Sequence, residues 1–272
     1  HPTYYDPYFL KYIGSKPFVL TVYDMIHEKF QNFLPKNDKT SEHKKLLIEK
    51  ASKIIAISEN TKKDIVEILG TDERKIEVIY LGNSINNKNN NFNIRLPKRY
   101  LLFVGNRATY KNFDRFIKSI LDLLRIDKSL YLICVGGGEF DDFTKKIFID
   151  LGISNQIKKY DLNDNNLANF YNNSLALVYP SLYEGFGIPI LEAFANGCPV
   201  VCSNTSCMPE IAGQAACYFD PYDENSIKKE VFKIIKDSNL RENLIENGYK
   251  KLKKFSWKKT EEKTIKVYKS LI

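Results

Sequence analysis

The sequence predicts an α/β protein with two doubly wound parallel sheets, one on each side of a polar linker. Short apolar runs typical of buried strands alternate with helical segments, an order that favours parallel pairing of the strands. The alternation occurs twice, and the Asn-rich stretch NSINNKNNNFNIRLP at 83–97 separates the two series. The 272 residues are enough to bury two cores.

The first series of elements occupies residues 1–82. Its predicted strands are the apolar runs FVLTVYD, KIIAIS and KIEVIYLG, at 18–24, 53–58 and 75–82. Between them, SEHKKLLIEKAS at 41–52 and the segment TKKDIVEIL predict helices. We expect Ser58 or Asn60 to cap the second helix, and Gly70 to end it.

The second series repeats this order over residues 98–255. Its predicted strands are at 100–105, 130–138, 157–161, 175–181 and 198–204. Its predicted helices are at 112–124, 139–152, 165–174 and 189–196, and over most of 224–253. Asn112 is expected to cap the first of these helices, and a last helix is predicted over 256–271.

Composition narrows the class of partner. The net charge of +8 suits an anionic partner such as a nucleotide, a phosphate or an acidic lipid surface, or serves only solubility. No apolar run approaches the roughly 18 residues of a membrane span, and no signal peptide is visible. The five cysteines, an odd number without a C-x-x-C pair, indicate neither a secreted disulfide framework nor a zinc site. They predict a reducing, cytoplasmic setting. The basic residues are scattered, and many aromatic residues lie at positions typical of a core. Both observations argue against a protein that binds nucleic acid.

Two carboxylates stand eight residues apart in the stretch SLYEGFGIPILEAFAN. Glu184 follows a predicted strand, and Glu192 lies one turn inside the next predicted helix. Because ligands bind outside the carboxyl ends of strands in doubly wound sheets, we expect a binding site here, and carboxylates suit the hydroxyls of a sugar or ribose. Considered singly, Glu184 is equally explained as a helix cap and Glu192 as an exposed helical residue.

The residues between these glutamates fit the same interpretation. The backbone N–H groups near Phe186, Gly187 and Ile188 lie at a predicted helix N-terminus, which suits an anion or ligand oxygens. Gly185 and Gly187 lack the Cβ atoms that would block a close approach of the backbone to a ligand.

A second candidate element is the turn VGNRATYKN at 104–112. Arg107 and Lys111 place two cations at the carboxyl end of a predicted strand, which suits a diphosphate, although a solvated basic loop is the alternative. The glycine turn VGGGE at 135–139 matches neither the dinucleotide-binding nor the Walker A pattern.

These segments resemble the retaining glycosyltransferases of family 4, which have the GT-B architecture of two Rossmann-like domains facing a cleft. The resemblance is carried by SLYEGFGIPILEA, GCPVVCSN, PEIAG and VGNRATYKN, and by the final FSWKKTEEKTIKVYKSL. It implies an acceptor-side domain at 1–82, a linker at 83–97, a donor-binding domain at 98–255, and a helix at 256–272 that returns to the first domain. Family members usually have about a hundred further residues before the segment matching HPTYYDPYF, so the N-terminal domain is expected to be truncated.

The resemblance also implies a reaction: retaining transfer of a hexose from a nucleotide diphosphate sugar to a polysaccharide or glycolipid acceptor. Glu184 would contact the sugar hydroxyls and Glu192 the ribose, while Lys111 and Arg107 would neutralise the leaving diphosphate. Further donor contacts are implied for Gly185, Phe186, Gly187, Ile188, Gly105 and Asn106, and base recognition for Asp161 and Leu162.

The donor and the catalytic details stay open at this point. YDMIHEKF and VGNRATYKNF look most similar to the mannosyltransferase-like branch, which favours GDP-mannose over a UDP-sugar. Without a D-x-D triplet, neither a metal ion nor another cofactor is indicated. Where many members have a His-Asp pair, this chain has Tyr23 and Asp24. Asp24 is therefore expected near the reacting sugar, and His27 is either a substitute histidine or an ordinary surface residue.

The expected partners are the nucleotide-sugar donor and a glycan or lipid-linked acceptor. The positive charge also suits peripheral contact with the anionic inner face of a membrane. The alternative function is a catalytically silent nucleotide-sugar-binding fragment or partner subunit, which the shortened N-terminus favours and the intact Glu184, Lys111 and Glu192 oppose.

Overall fold

The structure is a computed structural model that describes residues 1–33, 35, 37–83, 94–107, 109–161 and 164–272. It divides into two compact units. The first unit contains His1–Gly82, Tyr183–Gly187 and Phe255–Ile272, and the second contains Asn83–Leu182 and Ile188–Lys254.

All strands in the described residues pair in parallel. The first unit has a three-stranded sheet in the order β1-β2-β3, and the second has a six-stranded sheet in the order β6-β5-β4-β7-β8-β9. The strands are β1 (Val19–Val22), β2 (Lys53–Ala56), β3 (Ile76–Val78), β4 (Tyr100–Val104), β5 (Tyr131–Val135), β6 (Ile157–Tyr160), β7 (Ala176–Tyr179), β8 (Val200–Ser203) and β9 (Ala216–Phe219).

Helices alternate with these strands along the chain. They are α1 (Ile26–Lys29), α2 (Thr40–Lys50), α3 (Glu59–Leu69), α4 (Phe113–Ile126), α5 (Asp142–Asp150), α6 (Asp164–Asn172), α7 (Ile188–Ala195), α8 (Met208–Ala212), α9 (Glu224–Lys236), α10 (Ser238–Leu252) and α11 (Trp257–Lys269). None of the helices in the described part of the chain combines the length and the apolar character that crossing a membrane requires.

The first unit buries side chains on both faces of its small sheet. Alternate residues of β1 point to opposite faces. One set packs with α2 and α3, and its buried members include Leu20, Val22, Leu47, Ile54 and Ile65. The other set packs with α11, in a cluster of Val19, Ile55, Ile79 and Val267. Each fully buried aliphatic side chain contributes about 1.5–3 kcal/mol, so both faces stabilise the sheet.

The second unit has the larger core, built on nearly continuous apolar strands. Every residue of β4, β5, β7 and β8 is buried except the partly buried Tyr131, as expected for parallel strands covered by helices on both faces. The buried face of α4 follows helical spacing, with Phe113, Phe116, Ile117, Ile120 and Leu124 inside.

The predicted α/β class with two parallel sheets is confirmed, and each predicted strand contains an observed one. Three short elements were missed, namely β9, α1 and α8. The predicted cap at Asn112 is wrong in its mechanism, because the side chain makes no capping bond and the backbone is left-handed with φ 58°. Its Nδ2 instead donates to the carbonyls of Pro180 (3.2 Å) and Pro221 (2.8 Å). The domain boundaries stay a prediction, since residues 84–93 of the linker lie outside the described part.

Candidate functional site

The segment 183–187, called the Glu184 loop below, is held by its backbone within the first unit. The carbonyl of Gly185 accepts a hydrogen bond from the Ser58 hydroxyl (Oγ–O 2.7 Å) and a longer one from the Thr61 hydroxyl (3.3 Å). The Ser58 Oγ also accepts from the Thr61 N–H (3.0 Å) and so caps α3, as one of the two predicted cap residues. One serine therefore starts a helix and anchors the loop.

Gly185 leaves no space for a side chain. An added Cβ would lie 1.8 Å from the carbonyl oxygen of Tyr23 and 3.0 Å from Cβ of Asp24. Glycine is thus required here by space rather than by a left-handed backbone. The close approach also brings two of the predicted site elements together, since the Glu184 loop lies directly against the residues that follow β1.

The residues on either side of Gly185 bury their rings in the first unit. Tyr183 is buried, and its hydroxyl donates to Asp64 Oδ2 (2.7 Å) while accepting from the Met25 N–H (3.3 Å). Burial first, and the bond to Asp64 second, raise the pKa of Tyr183 well above its usual range. Phe186 packs on the rings of Tyr80 and Phe255, with distances between ring centroids of 6.1 Å and 5.9 Å. Between these anchored residues, Glu184 is only 7% exposed.

Asp24 is fixed by a buried lysine. The Lys44 ammonium, which is 0% exposed, donates to the Asp24 carbonyl (2.9 Å) and to Glu28 Oε2 (2.9 Å). The Asp24 carboxylate accepts from the Ile26 N–H (2.9 Å), and its side chain is a quarter exposed. The pairing with Glu28 compensates the desolvation of the Lys44 ammonium. The bond from Lys44 to the Asp24 carbonyl holds the chain at the end of β1 in one conformation.

His27 lies on the short helix α1. Its Nε2 is 3.7 Å from Asp38 Oδ2, and it lines a cavity of about 510 Å³ together with Gln31 and Glu42. Neither contact tests a role in the reaction, so the two interpretations of His27 stay open.

Glu192 lies in the second unit, on the buried face of α7. Its carboxylate accepts from the Tyr171 hydroxyl (2.7 Å), and the residue is 9% exposed. Burial, and then the negative charge of Glu192, raise the pKa of Tyr171 well above its usual value. The interpretation of Glu192 as an exposed helical residue is therefore wrong.

Arg107 is engaged with the second glycine turn. Its guanidinium stacks 4.4 Å from the ring centroid of Phe140. Its N–H groups donate to four successive carbonyls, those of Gly136 (3.0 Å), Gly137 (2.8 Å), Gly138 (2.6 Å) and Glu139 (3.1 Å). VGNRATYKN and VGGGE are separate motifs in the sequence, and in the structure they are joined through this side chain. The predicted role of Arg107 toward a diphosphate stays a prediction.

Lys111 ends a short 3₁₀ turn in the second unit, Thr109–Lys111. Its ammonium lies over the rings of Tyr110 (5.3 Å) and Tyr179 (5.5 Å), contacts that favour a cation at this position. The turn is tied to the chain after β7, because the Leu182 N–H donates to the Tyr110 carbonyl (2.8 Å).

The remaining predicted donor contacts occupy different settings. Gly105 has φ 117°, which favours glycine, and Asn106 is exposed. In the Glu184 loop Gly187 has φ 88°, and Ile188 begins α7 with 38% exposure. Asp161 is exposed and pairs with Lys159 (2.5 Å), while Leu162 lies outside the described residues.

The cysteines behave as core residues. All five are free and buried, and burial raises the pKa of the Cys134 and Cys198 thiols to about 12. The residues that the structure describes contain no group of three or more His, Cys, Asp or Glu side chains that could hold a metal ion. Metal independence of the reaction stays a prediction.

The family model described as "Glycosyl transferases group 1" matches residues 84–251. The chain is 33% identical over 176 residues to O-antigen chain mannosyltransferase B of Escherichia coli, covering 63% of this chain and 46% of that protein. It is 31% identical over 183 residues to O-antigen chain mannosyltransferase RfbU of Salmonella typhimurium, covering 67% and 50%. The chain thus spans about half the length of these curated relatives.

Two solved structures illustrate the fold. WaaG, a glycosyltransferase involved in lipopolysaccharide biosynthesis, superposes with a TM-score of 0.75 at 18% identity, covering 93% of this chain and 75% of that one. HepE of Anabaena, in complex with UDP and glucose, gives a TM-score of 0.77 at 17% identity, covering 96% and 73%. The predicted GT-B fold class is confirmed at the level of the two parallel-sheet units.

Proposed function

This chain belongs to the glycosyl transferases group 1 family, and we propose that it transfers a hexose from a nucleotide diphosphate sugar to a polysaccharide or glycolipid acceptor. The observation that carries this proposal is the burial of Glu184 and Glu192 within the E-x7-E stretch, at 7% and 9% exposure. Carboxylates that are shielded from bulk water form stronger hydrogen bonds with the hydroxyls of a ligand than carboxylates on an open surface do, which favours a binding role for both.

The two glutamates supply hydrogen-bond acceptors for hydroxyl groups of the donor. In the proposal Glu184 accepts from the hydroxyls of the transferred sugar, and Glu192 accepts from the ribose. An ionised carboxylate offers two oxygens and about four lone-pair sites. Glu192 can therefore keep its bond from Tyr171 and still accept from a ribose hydroxyl. Asp24, which packs beside the Glu184 loop, is proposed to act near the reacting sugar.

Lys111 is proposed to bind the leaving diphosphate. As the bond to the sugar breaks, negative charge develops on the phosphate, and a cation already held in place stabilises it without reorganising. Arg107 adds positive charge nearby in sequence, and its bonds to the turn 136–139 hold it in one orientation. Attack on the same face of the sugar, assisted by the leaving phosphate, would retain the anomeric configuration.

The donor preference follows from the relatives. Two of the curated relatives are O-antigen chain mannosyltransferases, which supports GDP-mannose. HepE was solved with UDP and glucose, which keeps a UDP-sugar as the alternative. The absence of a D-x-D triplet supports transfer without a metal ion. The five free cysteines support a cytoplasmic protein, and the net charge of +8 supports contact with a lipid-linked acceptor at an anionic membrane face.

A thermal-shift panel tests donor binding. GDP-mannose, UDP-glucose, UDP-N-acetylglucosamine, GDP and UDP would be added to the wild type, Lys111→Ala and Lys118→Ala. Lys118 is an exposed lysine on α4, so its variant controls for the loss of one positive charge. A ligand at 100 times its Kd adds about 2.7 kcal/mol to the free energy of unfolding.

We expect one nucleotide series to stabilise the wild type and Lys118→Ala, and to stabilise Lys111→Ala much less. Release of nucleoside diphosphate from the same donor, measured with and without a glycan acceptor, then tests transfer. Binding without release would favour the silent nucleotide-sugar-binding function. No stabilisation by any of the five compounds would contradict the proposal.

A further inference from the structure

One face of α3 and its cap contacts the Glu184 loop at two points. Ser58, Thr61 and Asp64 recur every third residue, a spacing that places side chains on the same face of a helix. Ser58 and Thr61 donate to the carbonyl of Gly185, and Asp64 accepts from the hydroxyl of Tyr183. These two loop residues are the immediate chain neighbours of Glu184.

We propose that Ser58, Thr61 and Asp64 are positioning residues, which fix the backbone of Glu184 so that its carboxylate meets the hydroxyls of the donor sugar. The inference rests on the proposed function, in which Glu184 contacts that sugar. It assigns a role in the site to three residues whose predicted roles are a helix cap, for Ser58, and parts of a helix, for Thr61 and Asp64.

The hydroxyl proton of Ser58 indicates that the contact with the loop is specific. To cap α3, the Ser58 Oγ needs only to accept from the Thr61 N–H. Its single proton is then available for one donated bond, and the nearest acceptor is the Gly185 carbonyl, at 2.7 Å, rather than Thr61 Oγ1, at 3.0 Å. Since Ser58 is fully buried, a loop carbonyl that lost this donor would have no water to replace it.

Asp64 provides the second anchor from a fully engaged carboxylate. It is 3% exposed, and its Oδ2 accepts from Tyr183 (2.7 Å) and from Asn60 Nδ2 (2.8 Å). Its Oδ1 pairs with the Lys29 ammonium (2.5 Å), which also lies 5.2 Å from the ring centroid of Tyr183. Because the Asp64 carboxylate is buried and held by these partners, its orientation is fixed. It therefore fixes the position of the Tyr183 hydroxyl that donates to it.

The two anchors together restrict Glu184. Tyr183 is held by its side chain, and Gly185 is held by its carbonyl. The Cα–Cβ bond of Glu184, which lies between them, therefore has little freedom of direction. A ligand group that is already oriented loses less conformational entropy when substrate binds. Weakening either anchor should therefore reduce the interaction with the sugar more than the interaction with the nucleotide.

The different effects expected on sugar binding and on nucleotide binding separate a positioning role from general stabilisation of the fold. Calorimetric titrations would measure Kd for a nucleoside diphosphate and for its nucleotide sugar, GDP against GDP-mannose and UDP against UDP-glucose. The anchor variants are Ser58→Ala, Thr61→Val and Tyr183→Phe, with Ser58→Thr as the conservative rescue. Folding of each variant is checked by circular dichroism and urea denaturation.

Two controls match the chemistry of the anchors. Ser256→Ala removes the N-cap serine of α11, which bonds to the Lys259 N–H but to no loop carbonyl in the described contacts. Tyr100→Phe removes a buried tyrosine hydroxyl in the second unit, where it donates to the Phe170 carbonyl (2.7 Å).

We expect the anchor variants to raise the Kd of the nucleotide sugar about tenfold, the effect of losing one hydrogen bond, and that of the nucleoside diphosphate less than twofold. Ser58→Thr should restore the sugar affinity, and both controls should keep the wild-type ratio. The inference would be overturned if all three folded anchor variants kept the wild-type ratio of the two Kd values. If the wild type bound neither class of compound, the proposed function itself would fail, and this inference with it.

Discussion

The two units present their candidate residues with different chemistry. In the first unit, neutral hydroxyls and one buried acid hold the Glu184 loop through its backbone and through Tyr183. In the second unit, cations dominate: Arg107 donates to four carbonyls of a glycine turn, and Lys111 lies over two tyrosine rings. The first arrangement should depend on shape and single buried hydrogen bonds, and the second on charge.

The largest effect is expected at Gly185, where the first unit has no spare space. In Gly185→Ala the new Cβ would meet a backbone carbonyl at 1.8 Å, and backbone cannot move aside as a side chain can. We expect a loss of about 2–3 kcal/mol in the free energy of unfolding, and a loss of nucleotide-sugar binding. Urea denaturation and calorimetry measure the two effects.

Gly248→Ala in the second unit is the matched control. There the added Cβ would lie 2.7 Å from a ring carbon of Phe194, and alanine is the better residue in α10. We expect a loss of about 1–2 kcal/mol, smaller than in Gly185→Ala, because the contact is with a side-chain ring rather than with backbone. Wild-type stability and wild-type binding in Gly185→Ala would show that the Glu184 loop is not held as described.

A smaller effect is expected at Arg107. Arg107→Lys keeps the charge but loses the planar fork of N–H groups that reaches carbonyls 136–139. Because these bonds are partly solvent-exposed, we expect a loss of only about 1–2 kcal/mol. The control Arg74→Lys alters an exposed pair with Asp72 and should leave the free energy of unfolding at the wild-type value. If both variants matched the wild type, the bonds of Arg107 to the turn would contribute nothing to stability.

The smallest effect concerns pH and the second unit, which contains all five cysteines. Burial raises the pKa of Cys134 and Cys198 from the usual 9.0 to about 12. Their contribution to stability is therefore complete below pH 9 and is lost as pH rises from about 9 toward 12, because the unfolded chain releases these protons first. Each thiol should lower the free energy of unfolding by about 1 kcal/mol at pH 10.

Urea denaturation at pH 7.5 and pH 10 measures this loss, and Cys198→Ala should show a smaller one than the wild type. Buried tyrosines such as Tyr183 add a loss of the same sign, since their pKa values are also raised. An unchanged difference between the two pH values in Cys198→Ala would contradict the assignment to that thiol.

Local sequence patterns were enough to predict most of the fold. Apolar runs and helical spacing identify the strands from β1 to β8. The inner strands are almost wholly apolar because helices cover both faces of the sheet, whereas the edge strands β3 and β6 contain charged residues. β9 was missed because Ala216–Phe219 contains no β-branched residue, whereas each of the other strands contains at least one. Asn112 was misjudged because a left-handed backbone removes the geometry in which an asparagine caps a helix.

The candidate site was predictable residue by residue but not in its connections. The spacing of Glu184 and Glu192, and the basic residues of VGNRATYKN, are visible in the sequence. Ser58 and Asp64 anchor the Glu184 loop from more than a hundred positions away in the sequence. No local sequence pattern can reveal a contact over that separation. The spacing of three in Ser58, Thr61 and Asp64 was the only signal available for it.

The decisive experiment is calorimetric titration of the wild type and Glu184→Gln, which shows whether Glu184 contacts the sugar of a nucleotide-sugar donor. The ligands are GDP-mannose with GDP, and UDP-glucose with UDP. We expect the wild type to bind one nucleotide sugar more tightly than the corresponding diphosphate. Glu184→Gln should lose that difference while it keeps its affinity for the diphosphate. The same preference for the nucleotide sugar in both proteins, or none in the wild type, would show that Glu184 does not contact the sugar.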